Sequence, residues 1–82
     1  MAAFAEKDVL DAIQDALGLE AGQLTIDTTT QDIKEWDSIG HLGVLTKLDK
    51  LFDGKVAAIQ ELADADSLQK IVVILREHSL ID

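Results

Sequence analysis

The chain has 82 residues, no cysteine and no proline, and sixteen acidic against seven basic side chains give it a formal charge of −9. That length holds one domain, spanning residues 1–82, with a modest core; the lack of cysteine excludes disulfides, a thiolate metal site and a cysteine nucleophile. The charge disfavours nucleic acid and anionic membrane and favours partners with basic surfaces. With no leader-like N-terminus and no apolar run near the ~18 residues of a membrane span, a cytoplasmic protein is expected.

From Phe4 to Leu17, the apolar residues Phe4, Val9, Leu10, Ile13, Ala16 and Leu17 recur at helical steps, with Glu6, Asp8, Asp11 and Asp15 between them. This predicts an amphipathic first helix. Gly18 suits a left-handed residue after its end, and Leu19 the hydrophobic partner of such a cap. Residues 20–36 read as a long connection, whose "TIDTTTQD" side chains compete for backbone hydrogen bonds. Leu24, Ile26 and Ile33 are its expected anchors to the core.

Asp37 is a good N-cap, and Ser38 then becomes the first residue of a second helix carrying Val44, Leu45, Leu48, Leu51 and Phe52 up to Asp53-Gly54. A short third helix is predicted within Val56 to Ala65. A fourth follows from Leu68 to about His78, capped by Asp66 or Ser67. The run Ile71-Val72-Val73-Ile74 would also suit a strand, but its only strand-like companion is near Ile26, and an isolated pair is marginal. The helix is therefore preferred.

On the second helix, Ile39 projects ~120° and Leu42 ~60° beyond Leu45, off the core arc, with Gly43 and Thr46 on the same side as Ile39. Two readings stay open: a low apolar docking face, or a face buried by the long connection. Gly40 and Gly43 pose the same alternative, since an interior glycine costs a helix roughly 1 kcal/mol relative to alanine. They either keep the surface low beside Ser38 or make room for a tightly packed loop. Ser38 lies in a first turn, where free N–H groups and the positive helix end favour a bound or attached phosphate.

The segment "DSIGHL" closely resembles the prosthetic-group motif of the acyl carrier protein family, and "LDKLF" matches the end of that family's second helix. "EWDSIGHL" resembles stand-alone carriers of specialised pathways in particular. The resemblance covers most of the chain and implies an all-α, acyl-carrier-protein-like four-helix bundle with a long loop between helices 1 and 2 and a short helix 3. It implies that Ser38 is esterified by 4′-phosphopantetheine, taken from coenzyme A by a magnesium-dependent phosphopantetheinyl transferase, and that Asp37 helps position the magnesium. The arm's thiol would then carry acyl groups as thioesters between acyl-loading and acyl-transferring enzymes. The carrier itself would be non-catalytic and suited to act as a monomer. Ile39, Leu42, Gly43 and Thr46 match positions through which family members meet their partners.

The sequence departs from typical fatty-acid carriers in its second helix. Ser38 to Lys55 carries a net charge of +1, whereas Glu6 to Asp37 carries −7. A dedicated partner, reading the first helix and loop, is therefore expected in place of bulk fatty-acid synthesis. A peptidyl or aminoacyl carrier is the nearest alternative, although the aspartate before Ser38 leans against it. A second alternative is an unmodified helical adaptor that binds a partner through Ile39 and Leu42.

Other chemistry finds little support. Ser38 and His41 lack the third residue and oxyanion donor of a nucleophilic site, and Trp36 and His41 instead occupy the two positions of an N-terminal staple. The acids of "DTTTQDIKEWD" lack the glycine and terminal glutamate of a calcium loop. His78 complements the dipole at the end of the last helix. No metal site is expected.

Overall fold

The structure is a computed structural model and describes residues 4–82. It is all-helical: α1 (Glu6–Leu17), α2 (Ser38–Leu51) and α3 (Leu68–Glu77) are joined by a long first loop and by two short 3₁₀ turns, Val56–Ala58 and Gln60–Asp64. α1 packs chiefly on α2, and α3 closes the core against α1 and the second 3₁₀ turn. Among the described residues there is no β-strand, only single bridges at Phe4–Ile81 and Thr29–Ser67.

Two expectations about these elements need correction. The first helix begins at Glu6, because Asp8 Oδ2 accepts from the Ala5 N–H at 2.8 Å and fixes the start there. Phe4 stays outside, its ring edge-on to Phe52 with centroids 5.1 Å apart. The expected short third helix is two 3₁₀ turns separated by Ile59, whose φ of −99° and ψ of 93° are extended. Val56, Ile59 and Leu62 all turn inward. Spacing them three apart suits 3₁₀ geometry, in which residues i and i+3 eclipse. Among the described residues there are thus three α-helices where four were predicted.

The remaining boundaries follow from local chemistry. Gly18 is left-handed at φ 68°, and the Leu19 N–H returns to the Gln14 carbonyl at 3.0 Å while Leu19 is buried. α2 ends at Leu51, ahead of Asp53 and Gly54, both with positive φ, and the Gly54 N–H reaches the Asp49 carbonyl. Ser67, and not Asp66, caps α3 by accepting from the Lys70 N–H. The β-branched run is helical, with Ile71 and Val72 buried.

The long loop has its own hydrogen bonding. Thr28 is buried, and its hydroxyl accepts from the Thr25 N–H at 2.9 Å. The Thr28 carbonyl receives the Leu68 N–H, and the Thr30 N–H reaches the Asp66 carbonyl. These bonds tie the loop to the start of α3. Leu24 and Trp36 are buried in the core, with Ile26 and Ile33 half-buried against it. No helix among the described residues is long and apolar enough to cross a membrane.

Candidate functional site

Ser38 is the exposed first residue of α2. Its position is fixed from both sides. Asp37 Oδ1 accepts from the Gly40 N–H at 2.8 Å, and the Asp37 carbonyl takes the His41 N–H, so two donors of the first turn are satisfied. The N–H groups of Ser38 and Ile39 have no partner among the described residues. They lie at the positive end of the helix.

Behind this turn, Trp36 is 2 % exposed. Its Nε1–H donates to His41 Nδ1 at 3.0 Å, and the rings stack with centroids 6.2 Å apart. Because Nδ1 accepts, the neutral ring carries its hydrogen on Nε2, which donates to the Leu62 carbonyl at 2.8 Å. The predicted staple is present, and it extends further than expected. It joins the loop, the start of α2 and the second 3₁₀ turn through one imidazole, leaving neither ring nitrogen available as a base toward Ser38.

The two glycines have different surroundings. A Cβ on Gly40 would overlap the Glu35 carbonyl oxygen and come within 3.1 Å of a Leu17 methyl group. Gly40 is there because the loop crosses α2 in contact with it, and a low surface beside Ser38 does not explain it. At Gly43 the nearest atom to an added Cβ is the Ala16 carbonyl oxygen at 4.0 Å, an ordinary contact. Its place in the interior of α2 is not required by packing.

Nor does the loop bury the outer face of α2. Ile39 is 81 % and Leu42 64 % exposed, two of the three large apolar side chains left open to solvent among the described residues. Ile39, Leu42, Gly43 and Thr46, singled out from the sequence, line one shallow groove between α1 and α2. Thr46 turns its hydroxyl inward to the Leu42 carbonyl at 2.9 Å. One wall of the groove is the ion pair of Lys47 with Asp15, at 2.6 Å.

On its other side Ser38 borders a cleft formed with Thr30, Asp37, Asp64 and Asp66. Sequence reading associates Asp37 with Ser38 but not Thr30, Asp64 or Asp66. The threonine run could have indicated the loop crossing, but nothing local fixes where residues 64–66 pass. Asp66 is exposed and paired with Lys70 at 2.8 Å, whose hydrogen bond and charge hold its carboxyl below the usual value. No group of histidine and acidic side chains among the described residues could hold a metal ion. His78 follows α3 and lies 3.8 Å from Glu61.

The site therefore combines an accessible hydroxyl, free backbone donors and adjoining apolar surface. Both His41 nitrogens are engaged away from Ser38. No protein-family model matches the chain, and no curated protein or solved structure matches it.

Proposed function

We propose that the chain is an acyl carrier protein in which Ser38 bears 4′-phosphopantetheine. The observation that carries this reading is the pairing of an exposed, helix-initial Ser38 with exposed Ile39 and Leu42 next to it. The residues present fit the group. The hydroxyl is open to approach, and the unpartnered N–H groups of Ser38 and Ile39 suit an attached phosphodiester. The finer arrangement, a four-helix carrier bundle, belongs to the same proposal, with the two 3₁₀ turns standing where a short third helix would lie.

Attachment is a transfer from coenzyme A carried out by a separate phosphopantetheinyl transferase. The Ser38 oxygen forms a bond to the phosphorus next to the pantetheine, the pyrophosphate linkage breaks, and 3′,5′-adenosine bisphosphate leaves. The serine proton passes to a base of the transferase, since both His41 nitrogens are engaged elsewhere. Asp37 keeps the turn in place with one carboxylate oxygen and has the other to offer to the transferase's magnesium. When attached, the group supplies the thiol that this chain lacks, on which acyl units are held as thioesters. Ile39, Leu42, Gly43 and Thr46 would receive the partner enzymes, and the even charge of α2 favours a dedicated pathway over bulk fatty-acid synthesis.

The test is intact mass after incubation with coenzyme A, magnesium and a promiscuous transferase. A gain of one phosphopantetheine in the wild type but not in Ser38→Ala supports the reading; no gain in folded protein, with a control carrier modified, overturns it. The exposure of Ile39 and Leu42 also favours a second reading, an unmodified adaptor that docks a partner on this face. A peptidyl or aminoacyl carrier would share the attachment and differ in cargo.

A further inference from the structure

The groove between α1 and α2 carries exposed Ile39 and Leu42 beside two small residues, Ala16 and Gly43. At about 100° per residue, Ile39, Leu42, Gly43, Thr46 and Lys50 fall on one stripe of α2, roughly 16 Å long. Thr46 adds no unmet polar group, because its hydroxyl already donates to the Leu42 carbonyl. Other depressions offer less. The one beside Leu45, Val56 and Ile59 has no exposed large apolar side chain, and its Asp49 is bonded to the Ala57 N–H; the one on α3 has Val73 alone.

We infer that the occupant of the α1–α2 groove is an amphipathic helix of a partner enzyme, antiparallel to α2, acidic in its first turn and basic in its last. This deepens the carrier reading by naming the partner element for its docking face, and it rests on that reading for what the partner does. The occupant is helical because the groove is bounded by helices. α1 and α2 spend their backbone groups on themselves, so an extended segment laid here would find no ladder to join. A helix satisfies its own backbone and turns apolar side chains three and four residues apart toward Ile39, Leu42 and Thr46. Gly43, which internal packing does not require, gains a reason here: with Ala16 it lets the partner helix come close.

Charge sets the direction. Lys50, in the last turn of α2, forms no ion pair among the described residues, and neither do the exposed Glu35 and Asp37 at the other end of the stripe. Lys47 lies between them and is already paired with Asp15. A helix favours acids in its own first turn and bases in its last. Running antiparallel to α2, it brings those acids to Lys50 and those bases to Glu35 and Asp37, and the two helix dipoles oppose each other. A parallel helix would set like charges together at both ends. The basic end then lies beside Ser38, where the phosphodiester of an attached arm adds to the attraction.

The experiment titrates apo protein with two peptides of 14 residues, the length of α2, followed by amide NMR. Both share one leucine stripe and one composition, and both are stapled on the outer face to equal helicity. The first begins with glutamates and ends with lysines; the second has these charges exchanged. The first is expected to bind more tightly and to shift Ile39, Leu42, Gly43 and Thr46. A nitroxide on its first residue should broaden the Lys50 amide, and one on its last residue the Ile39 amide. Lys50→Glu should weaken binding about fivefold and Leu42→Asp abolish it, with the fold of each exposed-site variant checked by circular dichroism. Tighter binding of the second peptide, broadening in the reverse sense, an unchanged affinity in Lys50→Glu, or no shift with either peptide would overturn the inference. If those results came with normal phosphopantetheine gain, the carrier reading would stand without it. The first peptide bound by a chain that gains no mass would overturn the carrier reading and give the docked helix to the adaptor.

Discussion

The indole N–H of Trp36 donates to His41 Nδ1 at 3.0 Å, and through the same ring the bond continues to the Leu62 carbonyl. Replacing His41 by leucine removes both partners and leaves a buried donor without one. The expected loss is about 1–3 kcal/mol, read as a lower urea midpoint by circular dichroism. His41→Gln, which can both accept and donate, should lose less. Equal stability of wild type and His41→Leu would show that the bridge contributes nothing.

Gly40 and Gly43 should respond in opposite directions to the same substitution. Gly40→Ala must displace the Glu35 carbonyl and is expected to destabilise despite the better helix propensity of alanine. Gly43→Ala meets only the Ala16 carbonyl at 4.0 Å and should stabilise by up to about 1 kcal/mol. Thermal melts of the two variants side by side check the contrast. A bulky Gly43→Phe should leave the fold intact and slow arm attachment, measured by time-resolved intact mass.

Asp37 holds two separable duties in the proposed function. Asp37→Asn retains the cap, because asparagine serves as well at that position, whereas Asp37→Ala should cost about 1 kcal/mol. If the carboxylate also assists magnesium in the transferase complex, both variants attach the arm slowly while only the alanine variant melts early. Normal attachment in Asp37→Asn would confine the residue to capping.

Ile39→Asp and Leu42→Asp test the outer face of α2 without disturbing the core, since both side chains are exposed. Melting temperature is expected to change little, while the KM of the transferase for the carrier should rise several-fold. An unchanged KM would move the docking surface elsewhere.

The Asp66–Lys70 pair makes a prediction about acid. Lys70 lowers the Asp66 carboxyl value in the folded state, first through its hydrogen bond and then through its charge. A carboxyl lowered by folding stabilises the fold above its unfolded value, and that contribution is lost as pH falls through the lowered value. Lys70→Met should therefore raise the Asp66 titration midpoint seen by carboxyl NMR. The acid-unfolding midpoint should move little, because the pair is solvent-exposed.

Gly18 with Leu19 after α1 and Asp37 before α2 were legible in the sequence because each depends on a residue and its near neighbours, whereas the start of α1 at Glu6 and the choice of Ser67 over Asp66 before α3 were not. The wheel position of Ile39 and Leu42 was legible for the same reason, though their exposure was not. That depended on where residues 20–36 run. The loop crosses α2 at Gly40 and leaves Gly43 open, a choice set by the hydrogen bonds of Thr28 and Thr30 to the start of α3. Such a pairing joins residues about forty apart and has no periodic signature. The 3₁₀ turns were read as one helix because apolar residues three apart suit either geometry. The cleft of Asp64 and Asp66 beside Ser38 arises from that same segment's path and was invisible for the same reason.

Trp36, the chain's single tryptophan, is buried, hydrogen-bonded and two residues from Ser38. That placement makes it an intrinsic fluorophore beside the proposed attachment site. Its emission would respond to unfolding and to displacement of the second 3₁₀ turn from His41. If Ser38 carries the proposed arm, its attachment can be followed optically in the native chain, with no label on the outer face of α2.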